Sequence, residues 1–158
     1  MERESLPERE SLSLESATSY ILEECRMVLP GIQALLGFQF IAVFNDDFRE
    51  RLSRGEQLVH LSSIVLVTVA IALVMAPAAL HRQSEPRSVS ERFINVSSTL
   101  LLAGMFPLAL GISLDVYLIS AMIMGTPEAG GLVAGALLLV FAALWLWLPA
   151  RERRLRRL

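Results

Sequence analysis

The stretch Phe93–Met124, FINVSSTLLLAGMFPLALGISLDVYLISAMIM, decides how the rest of the chain is read. It carries one ionised residue, Asp115. As a helix it would be about 46 Å long, more than the ~30 Å hydrocarbon core of a bilayer, so it must tilt, protrude or break. Gly125, Pro127, Gly130 and Gly131 mark the turn that ends it. Beyond them Gly131–Leu148 reads as another span, with Trp145 and Trp147 where an interfacial aromatic belt would sit.

Two more spans precede this pair. Leu58–Leu80 holds no formal charge other than a protonated His60, and Pro77 is expected in its last turn. Met27–Phe44 is uncharged and just long enough to cross. Upstream of it, Leu14, Ala17, Ile21, Cys25 and Val28 recur at spacings of three and four, opposite Glu15, Ser19, Glu23 and Arg26. That is an amphipathic helix, and Pro30 and Gly31 at the junction predict a kink between a surface-lying and a spanning segment. The expected architecture is an all-α membrane protein: four transmembrane helices at about 28–44, 58–80, 94–122 and 131–148 in a bundle with an N-terminal amphipathic helix. A polar N-terminus (1–13) should be mobile, and a basic tail (150–158) closes the chain.

Composition agrees. Of 158 residues 54% are hydrophobic, and all 14 basic residues are Arg, confined to the ends and two connectors. Cys25 stands alone, which excludes an intramolecular disulfide and a cysteine-based zinc cage; it reads as a small buried hydrophobe. The first thirteen residues contain no apolar segment of a cleavable signal, so the first span is expected to direct insertion. Four spans put both termini on one side. The Arg-rich tail, the connector HRQSEPRSVSER and the entry helix share that side, so the positive-inside rule makes it cytoplasmic.

Few residues could carry chemistry. Asp115 is the sharpest, because an intramembrane carboxylate is expensive and suggests ion or proton handling. Counted from Arg92 it lies roughly 22–31 Å beyond the start of the core, which favours an outer-interface residue pairing with Arg49 or Arg51. Gln33 and Gln39 could line a polar pathway or bond across helices. His60 and His81 would be ~31 Å apart on one helix, so they cannot share a metal and read as interface histidines. Glu23, Glu24, Arg26, His81 and Arg82 belong at the cytoplasmic surface, where an ion-pair cluster could fix the entry helix or gate a path. Trp145, Trp147, Arg151, Arg153, Arg154, Arg156 and Arg157 make an anchor for anionic lipids. Gly131 and Gly135 spell GxxxG, and Ser97, Gly104 and Gly111 recur every seven residues, both patterns that permit close helix approach. No catalytic, nucleotide-binding or metal-binding signature is present, so neither an enzyme nor a cofactor is expected, nor nucleic acid as a partner.

The entry EECRMVLPGIQALLGFQF (23–40), the end of the second span MAPAALHR (75–82) and the late acid Asp115 resemble an uncharacterised bacterial family of small four-span membrane proteins, a domain of unknown function. Relatives are sometimes labelled sodium/proton antiporters, although this chain lacks the paired midplane carboxylates and the repeats expected of that chemistry. The expectation is an inner-membrane protein, structural or accessory and homo-oligomeric, with an oligomeric channel or proton-coupled carrier as the alternative.

Overall fold

The computed structural model describes residues 13–84 and 90–155, and of Asp47 and Arg49 only the backbone. Among these residues the order is α1 (Leu14–Val43), α2 (Asp46–Arg51), α3 (Arg54–Ser84), α4 (Glu91–Met124), α5 (Pro127–Ala142), a π-helical turn (Ala143–Trp147) and α6 (Leu148–Leu155). The last three are continuous, giving four helices long and apolar enough to cross a membrane. They hold 30, 31, 34 and 29 residues, or about 44–51 Å each. All four therefore exceed a ~30 Å core, and the surplus length foreseen for α4 belongs to the whole bundle.

Local chemistry sets the ends. Ser13 accepts the Ser16 N–H at 3.1 Å and starts α1, and Ser90 accepts the Phe93 N–H at 3.1 Å and starts α4. Ser53 and Glu56 form a capping box ahead of α3: the Ser53 N–H and hydroxyl both donate to Glu56 Oε2 at 2.7 Å, and the Glu56 N–H returns to Ser53 Oγ at 3.4 Å. Gly125, at φ 73°, takes the left-handed conformation that terminates α4, and Pro127 opens α5 where its missing N–H is harmless.

The first helix runs on through its proline. Pro30 lies inside an uninterrupted α1, so the amphipathic entry and the first span are one element. The reason is packing: Thr18, Cys25, Ile32 and Gln39 are buried at intervals of seven on both sides of the proline. Pro77 likewise lies well inside α3, which runs on to Ser84.

On α3 the buried residues are His60, Ser63, Val67, Ala70, Val74 and Pro77, alternating by three and four, and α4 offers Ser97, Gly104, Gly111 and Leu118 every seven. These are the repeats of a coiled-coil seam shared by α1, α3 and α4. Small residues bring α3 and α4 together: a Cβ on Gly111 would lie 2.8 Å from Val67 Cγ2 and 3.2 Å from the Ser63 carbonyl, and one on Gly104 3.3 Å from Val74 Cγ2. The fourth helix packs on α4 through Gly130, where a Cβ would meet the Tyr117 carbonyl at 2.7 Å and Ala121 Cβ at 2.8 Å. Gly131 and Gly135, the expected motif, have nothing within 4 Å and face away from the bundle.

Candidate functional site

Three helices contribute to one buried polar cluster. α1 brings Gln39, the last residue of its buried stripe, with 4% of its surface exposed. α3 brings His60 and Ser63 from its first turns, and α4 brings Asp115, one helical turn past Gly111. The close contact at Gly111 fixes the register, because Ser63 donates its hydroxyl to the Gly111 carbonyl at 2.8 Å. In an antiparallel pair, moving four residues on from Gly111 and three back from Ser63 brings Asp115 level with His60.

The geometry ties all four side chains. Gln39 Nε2 donates to Ser63 Oγ at 2.7 Å and to Asp115 Oδ2 at 2.6 Å, which uses both amide hydrogens. His60 Nε2 lies 3.0 Å from the backbone carbonyl of Gln39, an atom that only accepts, so Nε2 carries hydrogen. His60 Nδ1 then faces Asp115 Oδ1 at 3.3 Å, within ion-pair reach but not aligned as a hydrogen bond. The arrangement is favourable with one proton in it, as imidazolium against carboxylate or imidazole against carboxylic acid. Without that proton, two lone pairs oppose each other. Phe48, from α2, sets its ring edge-on over the imidazole at 5.3 Å.

The cluster lies inside the bundle near one end. His60 is about 9 Å along α3 from its start, and Asp115 about 14 Å along α4 from its end. Beside it is a cavity of about 430 Å³, walled by Phe38, Leu118, Ile119 and Met122 and reached by Asn45 and Arg51 from the α1–α3 connection.

The sequence reading is redrawn in places. Asp115 and Gln39 are brought together, whereas Gln33 is exposed on another face of α1. The carboxylate of Asp115 meets an imidazole and an amide within the bundle; Arg51 lines the neighbouring cavity, and the Arg49 side chain lies outside the described atoms. His60, read as an interface histidine, is 7% exposed and central to the site. Ser63 and Phe48 carried no signal of their own; the seven-residue small-residue repeat was the clue to the register that brings Ser63 in.

At the opposite end, Glu23, Glu24, Arg26 and Arg82 are exposed, and among the described residues no ion pair joins them to one another or to His81. His81 packs on the Phe93 ring at 5.5 Å instead, with its Nδ1 buried and unpartnered. Glu24 reaches a second cavity of about 390 Å³, between α1, α4 and Trp145. Arg151 sits 5.5 Å over the Trp147 ring, Arg153 and Arg154 are exposed on α6, and Arg156 and Arg157 lie outside the described residues. Among the described residues no group of three or more His, Cys, Asp or Glu is placed to hold a metal.

A family model described as "Family of unknown function (DUF6328)" matches residues 8–149. No curated protein and no solved structure matches the chain.

Proposed function

The chain therefore belongs to the DUF6328 family, and on that premise we propose that it is a non-enzymatic, proton-coupled carrier whose His60–Asp115 pair exchanges one proton for one monovalent cation. One observation carries this reading: His60 presents Nδ1 to Asp115 Oδ1 at 3.3 Å while the Gln39 carbonyl holds its Nε2 at 3.0 Å. The tautomer is thereby set, and the position between the two groups is suited to a proton or to a cation that replaces it. Either occupant leaves the site with the same total charge, which avoids the cost of an uncompensated charge inside the membrane.

A carrier fits better than a pore. Between the levels of His60 and His81 the packing closes around the fully buried Val67 and Ala70, and among the described residues the buried polar groups there are the single hydroxyls of Ser63 and Ser97. The reading includes a homo-oligomer in a bacterial inner membrane with both termini cytoplasmic. Supporting it are the outward-facing Gly131 and Gly135, which have nothing within 4 Å, and the arginine-rich tail beside Trp147, suited to anionic lipids.

Proteoliposomes test the proposal. An imposed Na⁺, K⁺ or methylammonium gradient should drive proton movement in wild type and none in Asp115→Asn or Gln39→Leu. Proton movement equal to that of empty vesicles for all three cations would remove the carrier. A structural or accessory role is the second reading, favoured by the fact that Gln39, Ser63 and Asp115 bind α1, α3 and α4 together. It foresees no flux and a loss of stability in the same variants.

A further inference from the structure

The cavity beside the cluster is suited to a particular kind of cation. At about 430 Å³ it falls within the size range of small-molecule sites. Its apolar wall includes Phe38, Ile119 and Met122, which are 71%, 58% and 52% exposed on the outer faces of α1 and α4. In a bilayer those faces meet lipid, so the cavity opens sideways. Among its lining residues, Gln39 and Asp115 each have a buried oxygen with no hydrogen-bond partner, Gln39 Oε1 and Asp115 Oδ1, the second facing His60 Nδ1 at 3.3 Å. The donors at hand are already committed: both Gln39 amide hydrogens are spent on Ser63 and Asp115, His60 Nε2 on the Gln39 carbonyl, and Asn45 and Arg51, which also line the cavity, have interactions of their own.

A cavity with two orphaned acceptors at one end and lipid-facing apolar residues at the other lacks a donor-rich head on an apolar body. An alcohol supplies one donor, and an anion adds acceptors to acceptors. A primary ammonium supplies three donors and a positive charge. The charged lining of the cavity is Asp115 from α4, His60 from α3 and Arg51 from α2, with no charged side chain from α1 or α5.

We propose, resting on the proton-exchange reading, that the cation taken here is a primary ammonium on an apolar chain, admitted laterally from the bilayer. Its N–H groups bond Gln39 Oε1 and Asp115 Oδ1, and the proton shared by His60 and Asp115 leaves to solvent. One positive charge enters and one departs. A single-chain amphiphilic amine and the headgroup of an ethanolamine lipid share this chemistry.

The test uses the full chain in nanodiscs of phosphatidylcholine, following binding by calorimetry and proton release with a pH dye. Decylammonium should bind and release about one proton per chain, and Asp115→Asn should weaken binding at least about tenfold, the scale of one charge-assisted hydrogen bond. Decanesulfonate should not bind. Decyltrimethylammonium, which lacks N–H, should bind at least about tenfold more weakly than decylammonium, and equal binding would overturn the assignment. Met122→Trp, which narrows the cavity mouth, should abolish decylammonium binding. If decylammonium partitions equally with wild type, Asp115→Asn and Met122→Trp while small cations still exchange protons, the amine inference fails and the carrier stands. If no cation displaces a proton, both fall. Adding phosphatidylethanolamine to the nanodiscs should compete with decylammonium if the lipid headgroup is the source, and leave its binding unchanged if a free amine is.

Discussion

The two oxygens of Asp115 have different duties. Oδ2 accepts the Gln39 amide at 2.6 Å and holds the carboxyl in place, while Oδ1 faces His60 at 3.3 Å and is the side that the proposed carrier would use for exchange. Asp115→Asn keeps the shape and an acceptor for Gln39 but removes the acid, so the expected outcome is normal helicity by circular dichroism with loss of proton exchange. His60→Leu removes the side-chain donor to the Gln39 carbonyl, which keeps only its helical bond, and takes the imidazole away from Asp115. Such a loss costs about 1–3 kcal/mol, to be read as earlier unfolding in a detergent melt. At the rim, Glu56 is held below the usual carboxylate range, first by the Ser53 hydroxyl and then by the Ser53 N–H. A depressed folded value means that this cap stabilises the protein fully above the ordinary carboxylate range and is lost as pH falls through the lower folded value. Ser53→Ala should therefore cost about 1 kcal/mol near neutral pH, with the difference from wild type shrinking in acid, as a melt at several pH values would register.

Helices α3 and α4 owe their contact to two glycines, and the substitution series follows. Gly111→Ala drives a methyl to 2.8 Å from Val67, which is fully buried and has nowhere to move, so the helices must part at a cost of about 1–3 kcal/mol. Gly131→Ala meets nothing and should be neutral or slightly stabilising within one chain. If the outward glycine face joins two copies, Gly131→Leu should shift the protein toward monomer in crosslinking or light scattering while its melt stays put. How much could be read from sequence follows the same division. Long apolar runs and their breaks at Asn45, Gly125 and the arginines declare four helices, because length and hydropathy suffice for that. Which face turns inward is less legible, since lipid-facing and core-facing apolar residues look alike. The small residues Ser97, Gly104 and Gly111 marked one inner face correctly, but Gly131 and Gly135 marked an outer one. Gln39 and His60 could be joined to Asp115 only once the antiparallel register was fixed, and no single position announces that register.

Across the whole molecule, orientation is the property most open to direct measurement. Thr126 is exposed in the turn before α5 and makes no side-chain cap. In a Cys25→Ala background, Thr126→Cys should react with a membrane-impermeant maleimide from outside the cell only; labelling only from the cytoplasmic side would reverse the topology. The polar ties are unevenly distributed along the bundle. Gln39, His60, Ser63 and Asp115 knot α1, α3 and α4 at one end, whereas Glu23, Glu24 and Arg26 at the other make no ion pair among the described residues. α1 is thus a lever with its pivot at Gln39 and an arm of about 38 Å reaching back to Leu14, held by the packing of Thr18, Cys25 and Ile32 and by no ion pair among the described residues. A tilt of only ~5° about that pivot moves the far end by ~3 Å, so a change of one proton at the knot has the mechanical reach to be felt on the opposite face of the membrane.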